Sequence, residues 1–596
     1  MHTFEVWAPL AHSVAVQIGE ASHPVKSPLQ PRDRGWWSAT VPQAGPGVDY
    51  SFIIDDGDPV PDPRSPWQPH GIHGPSRLID HSAFSWSDRN WQPKPLSSAI
   101  IYELHIGTFT PQGTFRSTID RLDYLVDLGI THVELMPVNE FSGAWGWGYD
   151  GVDLYAPHHA YGTPDDLKAL VDSCHSKGLA VLLDVVYNHF GPVGNYLGQF
   201  GPYLTEAYKT PWGPAVNLDH KGSGEVRDFF CANALMWLRD YHFDGLRLDA
   251  VHAFVDNSAI HFLEYLASEV AALAAQVGRH LVLIPESDLN DPRLITSREA
   301  GGHGLDAQWS DDFHHALHTV LTGEQKGYYE DFGSLHQLAK ALQSAFVYDG
   351  IYSAHRGRLH GRPVIGLSAH RFVAFAQNHD QIGNRAQGER LSQLVSIGRQ
   401  KIGAAILLTS PFIPMLFEGE EYGASTPFQY FSQHEDEEIG QKVSEGRKSE
   451  FKAFGWDPDS IPDPQERETF ERSKLNWNEL SEEPHATLRA WHKQLIALRR
   501  STPALTDGRL DRVQVSFDER AQWFVVRRGG IEVACNLSTD RQAVPISFKP
   551  EDVVASEDSY QLRPGLIELP ADSVAILSRR TASASAHELL THHATG

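Results

Sequence analysis

Three short apolar runs in this chain each end in a carboxylate: Gly245-Leu-Arg-Leu-Asp249, Leu281-Val-Leu-Ile-Pro-Glu286 and Phe372-Val-Ala-Phe-Ala-Gln-Asn-His-Asp380. A continuous apolar run with polar residues at its ends is the pattern of a strand buried on both faces, as in a parallel sheet. Ala99–His105, His132–Pro137 and Leu179–Tyr187 read as further strands. Helical stretches lie between them. One runs from about Ile119 to Leu128 and stops at Gly129; another, Asp165 to Lys177, starts at Thr163-Pro-Asp-Asp and stops at Gly178. Glycine past the last helical turn and a Thr cap before the first are the usual boundaries. The alternation continues through Leu416 and predicts an α/β fold, a (β/α)8 barrel over residues 96–500.

Outside that span the period changes. Phe4, Val6 and Ala8 alternate with other residues, as do Val14, Val16 and Ile18, the two-residue repeat of half-buried strands. This predicts an N-terminal β-sandwich over residues 1–95, of the immunoglobulin-like, glucan-binding-module type, closed by the Pro-rich segment near Trp91. A C-terminal β-sandwich is predicted over 501–580, from Trp523-Phe-Val-Val and Ile531-Glu-Val-Ala-Cys. Residues 581–596 are small and of low complexity, and read as a flexible tail. Two stretches, 139–163 and 418–478, exceed an ordinary barrel loop, and such loops are usually functional.

Composition narrows the partners. The formal net charge is −26, which repels nucleic acid and anionic membranes. No run of about 18 apolar residues offers a membrane span, and the first residues lack the basic and apolar regions of a secretion signal. Three widely spaced cysteines, Cys174, Cys231 and Cys535, make no disulfide or metal pattern and suit a reducing cytoplasm. Aromatic content of 10% suits either a sugar-stacking cleft or an ordinary large core.

The strand-end acids suggest the chemistry. A carboxylate at the C-terminal end of a barrel strand sits where barrel enzymes place their sites, and two acids across a pocket can break a glycosidic bond. Arg247 lies two residues before Asp249, on the same strand face; it would keep Asp249 ionised, as a nucleophile requires, or form a structural pair with it. Glu286 follows an uncharged stretch, which would keep it protonated as a general acid. His379 and Asp380 can hold ring hydroxyls. Asp184, inside an apolar strand, needs a partner, for which Arg247 is suited; His189 follows at that strand's end. No HExxH spacing occurs, and the adjacent pairs His158-His159 and His314-His315 do not share a helix face, so neither a metal nor a cofactor is expected.

Asp184–His189, Gly245–His252, Pro285–Asp288 and Asn378–Asp380 resemble, in order, the conserved segments of the α-amylase superfamily of glycoside hydrolases. Trp145-Gly-Trp-Gly-Tyr-Asp-Gly-Val, Asn188-His-Phe-Gly-Pro-Val-Gly-Asn-Tyr, Gln308-Trp-Ser-Asp-Asp-Phe-His-His and Phe417-Glu-Gly-Glu-Glu-Tyr-Gly are similar to its trehalohydrolase branch, over nearly the whole chain. The resemblance implies a retaining double displacement with Asp249 as nucleophile, Glu286 as acid/base and Asp380 as stabiliser of the transition state. It implies a sugar site lined by Tyr149, Asp150, His189, Arg247, His252, His379, Gln381 and Asn384. The substrate implied is maltooligosyl-trehalose, cut at the α-1,4 bond beside its terminal trehalose to give trehalose and a maltooligosaccharide. A maltooligosyl-trehalose synthase would be the functional companion. The cluster Trp309, Asp311, Asp312, His314 and His315 is the candidate for recognising the leaving group, with Glu420–Phe431 beside it. A glycogen branching enzyme shares the plan and the three acids, and an inactive glucan-binding barrel is the alternative of another class.

Overall fold

The computed structural model describes residues 1–19, 24–450 and 460–579; the tail predicted at 581–596 lies outside the described residues. Eight parallel strands form the central barrel: Ile101–Leu104, His132–Leu135, Ala180–Val185, Gly245–Leu248, Val282–Pro285, Gln308–Trp309, Phe372–Phe375 and Ile413–Phe417. The last pairs with the first, Leu416 opposite Tyr102. Only the fifth and sixth lack a ladder. There the backbone N–H of Asp306 donates to Leu283 O at 2.9 Å, and the Asp306 carboxylate accepts from the Leu283 N–H at 2.8 Å, so a side chain closes the seam.

The helices between them obey the sequence signals. Pro164–Ser176 starts at Thr163, whose hydroxyl accepts from the Asp166 N–H while the Asp166 carboxylate accepts from the Thr163 N–H. This reciprocal pair satisfies two otherwise bare amides. Leu122–Leu128 ends at Gly129, which holds φ 102°, a conformation that costs glycine little.

Residues 2–77 build two small sheets, one of three strands and one of four. Phe4, Val16 and Phe52 are buried between them, with Phe4 edge-on to Phe52 at 6.4 Å. This domain docks on the barrel through Trp36, whose indole N–H donates to Glu225 at 2.9 Å. Val513–Asp518 opens a C-terminal pair of sheets, of five and three strands, around Val525, Ala534, Ile567 and Leu577. Its strand Trp523–Arg528 ends in Arg528, which is buried and donates to Thr409 O (2.7 Å) and Ser410 O (2.8 Å) past the end of barrel helix Ile397–Thr409. Arg499, from helix His485–Ser501, donates to Leu408 O and Phe412 O around the same turn.

The long stretch at 139–163 contains a hairpin, Asn139–Phe141 against Gly151–Pro157. Its tip carries Trp147, Tyr149 and Asp150 over the barrel mouth. The later excursion folds as short helices, among them Glu437–Glu450. No helix among the described residues is long and apolar enough to cross a membrane.

Candidate active site

The C-terminal ends of the strands surround an open cleft of about 610 Å³. At its floor lies Arg247, 1% exposed. Strand pleating points Arg247 and Asp249 to one side, and the guanidinium spans the barrel mouth. Nη1 meets Asp184 at 2.6 Å and Asp249 at 2.9 Å; Nη2 meets Glu286 at 2.8 Å. Three carboxylates thus share one cation. Desolvation alone would make such a cluster costly, and a single positive charge cannot balance it. Burial pushes Asp184 up to about 7 and raises Asp380 and Asp311, with the charge of Glu286 adding to the last two. Asp184 is therefore partly protonated near neutrality.

Each acid is held by backbone or side chain. Asn188 donates to Asp249 Oδ2 at 2.6 Å and to its carbonyl at 3.0 Å. Glu286 accepts from the Ala250 N–H at 2.8 Å. Ala250 adopts φ 41°, ψ 47°, a left-handed conformation disfavoured for residues with a Cβ, which turns that amide toward Glu286. Asp380 lies one residue into the short helix His379–Gly383, where Asn384 donates to it at 2.6 Å. Arg447, from the excursion helix, donates to Asn384 Oδ1 at 2.8 Å.

Glu286 does not occupy the uncharged surroundings anticipated from its strand. Val282–Pro285 are buried in the barrel wall, but the carboxylate extends past the strand end to Arg247. The leaving-group cluster also divides. Asp311, Asp312 and His315 line the cleft, whereas Trp309 and His314 do not. Trp309 is 1% exposed and lies under the guanidinium of Arg247, 4.1 Å from its ring centroid; the short sixth strand keeps it inside the barrel. His314 turns away from the cleft, its Nδ1 donating to Ala376 O (2.8 Å) and its Nε2 meeting Tyr329 OH (2.9 Å). Tyr149, Asp150, His189, His252, His379, Gln381 and Asn384 all line the cleft.

Several residues at the site were not singled out in the sequence. Trp212 stacks on His189 with centroids 4.9 Å apart and 6° between planes, and is 47% exposed. Tyr328, His355 and Arg356 complete the walls, together with Tyr430 from the anticipated segment Glu420–Phe431. Glu103, buried in the first strand, accepts from the backbone N–H of His379 at 3.0 Å and from its Nδ1. An acid inside an apolar strand was the available signal for Glu103, as it was for Asp184. The arrangement offers acids on one side of a polar, aromatic-walled cleft and an aromatic face, Tyr149, for a sugar ring.

A family model described as the alpha amylase catalytic domain matches residues 79–209, and one described as a domain of unknown function (DUF3459) matches residues 508–576. A malto-oligosyltrehalose trehalohydrolase of Rhizobium sp. (strain M-11) is 48% identical over 96% of this chain and 97% of its own. One of Mycobacterium tuberculosis is 47% identical over 97% and 99%. A 1,4-alpha-glucan branching enzyme of Pseudoalteromonas atlantica is 30% identical, over only 60% of this chain. A solved structure from Salmonella typhimurium described as an alpha amylase superposes with a TM-score of 0.88, at 38% identity over 97% of both chains.

Proposed function

From the premise that this chain belongs to the malto-oligosyltrehalose trehalohydrolase family, as its end-to-end relatives establish, we propose that it cuts the α-1,4 bond beside the terminal trehalose of a maltooligosyl-trehalose. It is a glycosidase with an α-amylase-type barrel. The observation that carries the reading is the convergence of Asp249, Glu286 and Asp380 in one cleft, two of them on Arg247.

The geometry gives each acid a task. Asp249, fixed between Arg247 and Asn188, attacks the anomeric carbon and forms a glycosyl ester. Glu286 gives a proton to the departing glycosidic oxygen, then takes one from the water that hydrolyses the ester. Asp380 and His379 hold ring hydroxyls as the sugar flattens toward its oxocarbenium-like transition state. Tyr149 and His189 border the same ring. Asp311, Asp312, His315, His252, Gln381 and Asn384, with Tyr328 and Arg356, face the leaving group. Trehalose joins two glucoses anomer to anomer and bends off the maltose path. A polar wall shaped to that bend is what selects it.

A cytoplasmic location is part of the proposal, supported by three cysteines that are all free and buried. A maltooligosyl-trehalose synthase is the companion that would supply the substrate. The test is incubation with maltoheptaosyl-trehalose. Free trehalose and maltoheptaose are expected. Longer or branched glucans without trehalose would overturn the hydrolase reading in favour of glucan transfer.

A further inference from the structure

His158 and His159 do not lie on a helix, so the argument that adjacent histidines diverge does not apply to them. They follow strand Gly151–Pro157 at the base of the hairpin that carries Tyr149, where the chain turns. Both imidazoles face Glu140, on the partner strand. Glu140 lies between two register shifts in that strand, an irregularity that re-aims a side chain. His159 Nδ1 is 2.7 Å from Glu140 Oε1, and His158 Nδ1 is 3.3 Å from Oε2.

We propose that Glu140, His158 and His159 bind a divalent transition-metal ion of the zinc class, tying together the two strands that carry Tyr149 into the cleft. One ligand atom from each residue lies within 4.8 Å of the other two, close enough for small side-chain adjustments to bring all three to bonds of about 2.0–2.2 Å with a common ion. The second observation is His158 itself. Its side chain is fully buried, yet neither ring nitrogen has a hydrogen-bond partner, and Nδ1 faces Glu140 without the alignment of a hydrogen bond. A buried polar group left in this way is costly; a metal between the imidazole and the carboxylate satisfies it. Two imidazoles and one carboxylate favour zinc, cobalt or nickel over calcium or magnesium, which take oxygen ligands. The His159 side chain is 32% exposed, which gives the ion an entry and leaves room for a water as fourth ligand. The site is separate from the acids on Arg247.

The full chain, stripped with a chelator, is titrated with Zn2+ by calorimetry and with Co2+ by visible absorption. One equivalent is expected to bind, and the Co2+ form is expected to show the intense bands of a four- or five-coordinate ion. His159→Ala, at a partly exposed position, and Glu140→Gln should each weaken binding by about 100-fold or more, at least what loss of an outer-shell partner costs. Asp249→Ala should bind as the unmodified chain does, which separates this site from the catalytic cleft. Absence of saturable binding, a purely octahedral Co2+ spectrum, or unchanged affinity in both variants would overturn the proposal.

Discussion

Glu103 and His379 are joined by a 2.5 Å hydrogen bond from the imidazole Nδ1. The other nitrogen, Nε2, lies 2.8 Å from the Tyr149 hydroxyl, which donates its own proton to Asp184 at 2.5 Å. With Asp184 ionised and holding the Tyr149 proton, Nε2 donates to the Tyr149 oxygen, an arrangement that favours the doubly protonated form of His379. Burial opposes that charge, but the Glu103 carboxylate outweighs burial and holds His379 above its ordinary value. Glu103→Gln removes the support. We expect kcat/KM to fall by about 10- to 100-fold, the cost of losing such an orienting partner. Nitrogen-15 spectra should show His379 doubly protonated at pH 7 in the unmodified chain and singly protonated in the variant. An imidazolium that persists in the variant would refute the assignment.

Asp249→Ala should abolish turnover, by at least about 10⁴-fold, as loss of a covalent nucleophile does. Glucan binding should survive, because the walls and the acceptor side remain. Activity and calorimetric affinity measured on the same preparation check both halves. Unchanged turnover would remove Asp249 from the nucleophile role.

Trp212 presents a half-exposed face beside His189. Trp212→Ala should raise KM severalfold with a smaller change in kcat, because stacking of this kind contributes on the order of 1 kcal/mol and acts on the bound sugar more than on the reacting bond. Steady-state kinetics on maltooligosyl-trehalose decide the matter. A fall in kcat with KM unchanged would place Trp212 in the transition state instead.

Stability should peak in mildly acidic solution. Burial pushes Glu418 and Glu420 up to about 8, so the native chain keeps protons there that the unfolded chain releases near 4.5. Their contribution is complete below about pH 4.5 and is lost as pH rises toward 8. His105, His132 and His492 act oppositely. Burial lowers them to about 3, 4 and 4, so their contribution is complete above about 6.5 and is lost as pH falls. Denaturant unfolding from pH 4 to 9 should trace the dome. A Glu418→Gln, Glu420→Gln double variant should flatten its alkaline side; an unaltered slope would exclude these two residues as its origin.

The sequence was most legible where one strand carries its own punctuation. Apolar runs with acids at their ends marked the catalytic rim, and Thr163 and Gly129 marked helix boundaries. It was least legible where a side chain's setting depends on a remote segment. Trp309 follows an apolar run and has the composition of a sugar platform, yet its face is occupied by Arg247. His314 and His315 are neighbours in sequence and both pack on Tyr329, yet only His315 reaches the cleft. Glu286 sits after uncharged residues, and only the pairing of its strand with the one before it brings Arg247 to its carboxylate. Arg447 reaches Asn384 across 63 residues, a relation that no local pattern encodes.

The reach of Arg528 into the barrel has an evolutionary consequence. Its guanidinium donates to the carbonyls of Thr409 and Ser410 at the end of barrel helix Ile397–Thr409, the second of which Arg499 also reaches at 2.7 Å. The terminal module is therefore not a detachable cassette. A chimera that grafts a foreign module onto this barrel strips the Thr409 carbonyl of this donor unless the new module brings a matching cation, so recombination at this joint is favoured among chains that share the arginine.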